Sequence, residues 1–157
     1  MPRPRHGSSW AQAYQLLPSA LAAAALGDTL VVAQGSYTPS TDNPMQVPAG
    51  VRLLGGFVGN EPINEETIDA RDWATHATIL SGDINTPGDS TDNSKGVVDF
   101  HGRFGAFMDG FTISGAFNYI SNVDYVGLRC HGHATLRNLV IRDNRGYTRG
   151  AGLYVLG

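Results

Sequence analysis

The chain has a single cysteine, Cys130, among 157 residues, so it can form no disulfide within itself and no thiolate metal cage. Charge is sparse too: Asp, Glu, Lys and Arg make up 16% of the chain, and the net charge is −3. Its 11 Lys and Arg residues are scattered rather than clustered, which removes the electrostatic footprint of a nucleic-acid binder. No apolar run reaches the roughly 20 residues that a bilayer-spanning helix needs. Phosphate-loop, dinucleotide-fingerprint and nucleophile-elbow spacings are missing, and the enzyme classes that use them go with them.

What the chain does have is turn formers and a repeat. Twenty glycines and eight prolines without a three-residue period describe many short strands joined by turns rather than collagen. With 41% apolar residues the length suits one domain, residues 1–157, with a real core. Three hexapeptides line up near the C-terminus: Val97 to Gly102, Gly127 to Gly132 and Gly152 to Gly157. They step by 30 and then 25 residues, a period typical of stacked units.

Within them apolar side chains fall on alternate positions, Val98 and Phe100, Leu128 and Cys130, and Leu153 and Val155, the period of a strand buried on one face. Met108-x-x-Phe111-x-Ile113 recurs 28 residues later as Leu136-x-x-Leu139-x-Ile141. Strands that repeat this closely without a helix-length crossover pair in parallel only if the chain coils. The pattern predicts a β-solenoid with inward stacks Val98-Leu128-Leu153 and Phe100-Cys130-Val155, and Cys130 a small buried hydrophobe.

Upstream, Ser9 and Gln12 have capping-box spacing, and the Ala-rich stretch from Pro18 to Leu26 ends at Gly27, which predicts a helix. Leu17, Leu21 and Ala24 or Ala25 give it one apolar stripe, placing an N-terminal cap over about residues 8–27 and coils over about 28–157. Arg3 and Arg5 ahead of the run from Leu16 to Leu26 superficially copy a secretory signal. Trp10, Gln12 and Gln15 break that pattern, and the run flows through Gly27-Asp28 into a strand. Further strands are expected at Thr29 to Ala33, Val51 to Phe57 and Thr78 to Gly82. Polar connections run from Asn60 to Trp73 and from Asp83 to Lys95, too long for simple turns and suited to function.

The series Leu16, Ala20-Leu21, Ala24-Ala25, Gly27-Asp28-Thr29-Leu30-Val31-Val32, Gly35, Tyr37 resembles the opening of pectin-lyase-like right-handed parallel β-helices. Val51-x-Leu53-x-Gly55-Gly56-Phe57-x-Gly59-x-Glu61, Trp73, Thr78-x-Leu80-Ser81-Gly82-Asp83-Ile84 and Asp109-Gly110-Phe111-Thr112-Ile113-Ser114-Gly115 follow it. Their order is similar to that of bacterial choice-of-anchor proteins, related to polymorphic outer-membrane proteins. The resemblance implies an all-β fold, a right-handed parallel β-helix (solenoid) with an N-terminal capping α-helix, in a secreted or surface-displayed protein. It does not imply an enzyme. Members of that group carry more coils and an anchoring segment, so the resemblance also implies that this chain is a fragment or is capped by a partner.

Sugar-cleaving β-helices stack carboxylates on neighbouring coils to share calcium or divide acid and base roles. Here Asp99 steps onto Arg129 and Asp109 onto Arg137, two exposed cross-strand ion pairs where a sugar-cleaving enzyme would want two acids. No catalytic residue is assigned. His101 steps onto His131, with His133 nearby, and no third zinc ligand falls in register. Asp83, Asn85, Asp89, Asp92 and Asn93 concentrate oxygen ligands in one loop, and Asp83, Asn85, Asp89 and Asp92 are the candidate Ca2+ ligands. Pro87 and the lack of a Glu at the twelfth position separate this loop from an EF-hand. No cofactor is required elsewhere. Phe117, Tyr119 and Tyr125 sit where the first unit exceeds the second and are the candidate glycan contacts, since aromatic faces stack on sugar rings; the alternative is that they cover the coil beneath.

The function expected is a non-catalytic scaffold at the cell surface or outside the cell, adhesive or glycan-contacting. The alternative is the N-terminal part of a polysaccharide lyase or glycoside hydrolase with active coils beyond Gly157. A third expectation is end-to-end self-association through an open C-terminal coil.

Overall fold

The computed structural model describes residues 7–100, 105–120, 126–147 and 149–156. In chain order its elements are α1 (Leu17–Ala23), β1 (Thr29–Ala33), β2 (Gly35–Tyr37), β3 (Met45–Val47), β4 (Arg52–Phe57), α2 (Glu65–Ala70) and β5 (Thr78–Ser81). There follow β6 (Val98–Phe100), β7 (Ala106–Ser114), β8 (Phe117–Asn118), β9 (Leu128–His131), β10 (Ala134–Arg142), β11 (Arg145–Gly146) and β12 (Leu153–Leu156). Every strand pair is parallel.

A four-stranded sheet keeps chain order, β12-β9-β6-β3, whereas a six-stranded sheet does not: it runs β1-β4-β7-β5-β2, with β10 also on β7. The cause lies in β7. Arg52 to Leu54 of β4 pair with Phe107 to Asp109, and Thr78 to Ser81 of β5 pair with Phe111 to Ser114. Between the two halves Gly110 takes φ 83, a left-handed conformation that costs glycine nothing and turns the strand. β10 follows β7 through the same turn with Asn138 at φ 49, an amide residue that tolerates this region.

This arrangement corrects the expectation of an all-β, right-handed parallel β-helix with one capping helix. A solenoid adds strands to each sheet in chain order; here β4 and β5 share one long strand, and a second helix, α2, lies between them in the chain. The described residues form an α/β fold of parallel sheets with two short helices. Stepping by a fixed repeat fails because neither β4 nor β5 is long enough to cover the nine residues of β7.

The register nevertheless follows the repeat across the four-stranded sheet. Val98 pairs with Leu128 and Leu128 with Leu153, and Phe100 pairs with Cys130 and Cys130 with Val155. Val98, Phe100, Leu128 and Cys130 are buried in a core that also holds Phe57, Met108, Phe111 and Ile113. Leu153 and Val155 depart from the expected stack: they are 42% and 55% exposed, because among the described residues β12 has a strand on one side only. His101 and Gly102 lie outside the described residues, and with them the expected His101–His131 stack.

The N-terminal cap is shorter than expected. Trp10–Gln12 form a 3-10 turn, Ser9 makes no capping hydrogen bond, and α1 ends at Ala23. Leu17 and Leu21 are buried as the stripe requires, with Pro18 in the first turn. A capping box does form, but at α2: Thr67 N donates to Asn64 Oδ1 at 2.9 Å, and Asn64 N donates to Thr67 Oγ1 at 3.1 Å. The connection from Asn60 to Trp73 is therefore partly helical.

Candidate functional site

A cleft of about 860 Å3 opens between the segment around Trp10, α1, β1 and α2. Its lining includes all of β1, Thr29 to Ala33, together with Tyr14, Asp28, Arg52, Glu65 and Asp69. Two anchors hold the wall formed by residues 7–14. Trp10 Nε1 donates to Glu61 O at 2.7 Å, and the Trp10 ring lies 6.0 Å from that of Phe57, tilted by 50°. The Glu61 carboxylate in turn accepts from the backbone N–H groups of Val58 and Gly59, each at 2.7 Å, and of Asn60 at 2.9 Å. Desolvation pushes the Glu61 carboxyl up, but its backbone donors outweigh this and hold it below its ordinary value.

Around the opening Asp28 Oδ2 accepts from Ala25 N at 2.8 Å, closing the turn from α1 into β1. Glu65 and Asp69 stand four residues apart on α2 and so share a face. Both are exposed, as is Tyr14 at the rim. The Arg52 guanidinium is 4.6 Å from the centre of the Phe107 ring, a cation–π contact that steadies it. Deeper in, burial raises the Tyr37 hydroxyl pKa, and this hydroxyl donates to Ala33 O at 3.1 Å. The cleft can thus offer an aromatic ring, carboxylate acceptors and one guanidinium to a polyhydroxylated ligand.

Of the expected glycan contacts, Phe117 is half-buried and Tyr119 exposed, with ring centroids 6.2 Å apart. They form a small ledge away from the cleft. Tyr125 lies outside the described residues. The expected calcium loop folds on itself: Asp83 Oδ2 accepts from Gly88 N at 2.9 Å, and Asp92 Oδ2 from Thr86 N at 3.0 Å. Asp89 turns away, its Oδ1 accepting from Thr91 N at 2.9 Å and from the Thr91 hydroxyl at 2.7 Å. Asn85 uses its amide as a donor to Asp92 O at 3.0 Å. Among the described residues no three His, Cys, Asp or Glu side chains cluster as metal ligands.

Both sheet acids sit where the repeat places them, but they are buried rather than exposed. Asp99 is opposite Arg129 in register, and Arg129 Nε donates to Asp99 Oδ1 at 2.9 Å while Nη2 pairs with Oδ2. Asp109 is opposite Arg137, yet its ion pair goes to Arg71 at 2.6 Å. Arg137 instead lies over Phe107, 5.8 Å from the ring centre. The side chain from α2 wins because it enters over the sheet and also donates from Nε to Gly55 O at 3.0 Å, whereas Arg137 is exposed.

No family model, curated protein or solved structure matches this chain. The cleft was not legible in the sequence because its walls come from four separated segments. One signal pointed to it: Trp10 and Tyr14 stand among small and polar residues ahead of α1, where two large aromatics need something to pack on.

Proposed function

We propose that this chain is a non-catalytic, glycan-contacting module of a secreted or cell-surface protein. The observation that carries the reading is the cleft, whose lining holds Tyr14, exposed at the rim, together with Asp28, Glu65 and Asp69. A sugar offers an apolar face to a ring and a fan of hydroxyls to carboxylates, and this lining suits both. The extracellular placement rests on the resemblance of the motif order to that of choice-of-anchor surface proteins. The non-catalytic character is supported by Asp99 of β6 and Asp109 of β7, acids on two different sheets, each of which is held by an arginine.

The test is a titration of the purified chain with neutral and uronate-containing oligosaccharides, followed by calorimetry. Binding that is lost in Tyr14→Ala and in the double variant Glu65→Ala/Asp69→Ala, with melting unchanged, supports the reading. Absence of binding overturns the glycan contact, and growth of absorbance from a new double bond overturns the non-catalytic part.

One observation favours a second reading, self-association. Among the described residues, strands β10 and β12 each pair on one side only, and β12 displays Leu153 and Val155 to solvent. An apolar edge with unpaired backbone groups recruits another strand, and a second copy of this chain would supply one.

A further inference from the structure

The outer face of the six-stranded sheet carries two guanidiniums on one aromatic ring. Leu30, Leu53, Met108 and Leu136 of β1, β4, β7 and β10 stand in register and pack on the core. Side chains alternate along a strand, so the rung one residue earlier, Thr29, Arg52, Phe107 and Thr135, points outward. Thr29, Arg52 and Thr135 are exposed. Two residues beyond Thr135, the exposed Arg137 lies on the same face. Both cations converge on Phe107: the Arg52 guanidinium is 4.6 Å from the centre of its ring and that of Arg137 5.8 Å.

Neither cation has a carboxylate partner among the described residues. Register sets Arg137 opposite Asp109, but Arg71 and Asn138 hold the two Asp109 oxygens. Arg52 shares the cleft lining with Asp28, Glu65 and Asp69 and forms an ion pair with none of them. A guanidinium lying over a ring keeps its N–H edge available to an anion. The two arginines rise from strands on either side of β7, two strand spacings or about 10 Å apart, which suits two anionic groups on one ligand. Each has a threonine close by on the same face: Thr29 is the register partner of Arg52, and Thr135 precedes Arg137 by two residues. An oxyanion with three terminal oxygens gives two to the guanidinium fork and one to the hydroxyl, whereas a carboxylate has no third. A sulfate ester brings one charge per group and so matches one guanidinium, while a phosphate monoester brings about −1.5 to −2.

We propose that this face binds a sulfated glycan, with Arg52 and Arg137 each taking one sulfate on either side of Phe107. The proposal rests on the glycan-contacting reading of the adjoining cleft, whose lining includes Thr29 and Arg52, and it names the class of glycan. Carboxylates repel sulfate, so the sulfated part of the ligand lies over β4, β7 and β10 and its free hydroxyls face Asp28, Glu65 and Asp69. Nucleic acid does not fit the same face, because a protein of net charge −3 repels a duplex with one charge per about 1.7 Å, and two cations do not offset that.

The experiment titrates the full chain at low salt with dextran sulfate, carboxymethyl dextran and unmodified dextran, one backbone bearing sulfate, carboxylate or neither, and reads binding by calorimetry. Dextran sulfate is expected to bind at least about tenfold more tightly than the other two. Arg52→Gln and Arg137→Gln should each weaken it about tenfold and reduce its salt slope by about one, with melting unchanged. Arg145→Gln, at an exposed arginine on β11, should leave binding as it is. Equal binding of carboxymethyl dextran overturns the sulfate assignment, and a loss in Arg145→Gln equal to that in the other two variants overturns the site. Equal binding of plain dextran, lost in Tyr14→Ala, overturns the proposal but leaves the cleft reading standing; no binding in any arm overturns both.

Discussion

Arg71 Nη2 lies 2.6 Å from Asp109 Oδ2, and the two side chains are 9% and 11% exposed. This pair joins the end of α2 to the middle of the six-stranded sheet, just before β7 turns at Gly110. Arg71 Nη1 also donates to Ile68 O and Nε to Gly55 O, while Asn138 Nδ2 donates to Asp109 Oδ1 at 2.8 Å. One guanidinium therefore ends a helix, holds a strand and neutralises a buried carboxylate. A charge in that position cannot act as a general acid or base without first breaking the contacts that keep it there.

Removing the cation should be expensive. Arg71→Ala leaves Asp109 buried with Asn138 as its remaining partner, and a loss of about 3–5 kcal/mol is expected, read by urea denaturation. Asp109→Asn in the Arg71→Ala background should recover part of that loss, because an amide can be buried without a counter-charge. A single-variant loss below about 1 kcal/mol would place the pair among solvated surface contacts.

Glycine is required where β4 crosses β7. A Cβ built on Gly55 would run into the carbonyl oxygen of Gly110 and meet Thr78 Oγ1 at 3.1 Å. The Thr78 hydroxyl cannot retreat, since it accepts from Gly56 N at 2.9 Å and is itself buried. Gly55→Ala should cost about 3 kcal/mol or more by overpacking, seen as a lower denaturation midpoint. The same change at Gly88, where nothing lies within 4 Å of the added Cβ, meets no such clash; its cost is confined to the φ of 84.

Burial pushes the Cys130 thiol from its ordinary 9.0 up to about 11, with the Asp99 carboxylate adding to the effect. The folded pKa is raised above the unfolded one, so the folded state binds the proton more tightly. This contribution to stability is complete below pH 9 and is lost as pH rises towards about 11. Denaturation midpoints should fall across that window in the wild type and fall less in Cys130→Ala. A thiol-specific disulfide reagent at pH 8 should react only after denaturant is added.

Acid should loosen the anchor of the N-terminal wall. The Glu61 carboxyl is held below its ordinary 4.5 by the N–H groups of Val58, Gly59 and Asn60, against the opposing effect of desolvation. Its stabilisation is present above pH 4.5 and is lost as pH falls through the lowered value. Glu61→Gln should cost about 1 kcal/mol at neutral pH and flatten the acid limb. Trp10 fluorescence reports the change, because its indole donates to Glu61 O.

Self-association through β12 should depend on protein concentration. Sedimentation velocity should show larger species as concentration rises, and Val155→Lys should suppress them by placing a charge on the open edge. A single monomer boundary in the wild type at high concentration would remove that reading.

Much of the secondary structure was legible because alternation is local. The strands around Leu30, Leu53 and Leu80 follow from their strand-forming composition, those around Leu128 and Leu153 from period-2 patterning, and the 30- and 25-residue steps placed Leu128 beside Val98 and Leu153 beside Leu128. Strand β3 went unread because Met45 to Val47 is only three residues between Pro44 and Pro48. Helix α2 went unread because its capping box uses Thr67 in place of Glu or Gln. The oxygen-rich loop was visible, but which of its acids keep an unpartnered oxygen was not, because Asp89 is taken up by Thr91 two residues away.

The sequence by itself determined that the strands pair in parallel, and the register of β6, β9 and β12 and of β7 and β10, since these follow from a pattern that repeats within about 30 residues. Tertiary structure decided the rest. The order of the six-stranded sheet depends on β4 and β5 sharing β7, and the partner of Asp109 depends on Arg71 reaching it ahead of Arg137. The cleft depends on four segments converging. In each case groups distant in the chain compete for one position, and the outcome is set by reach and burial in three dimensions rather than by any local pattern.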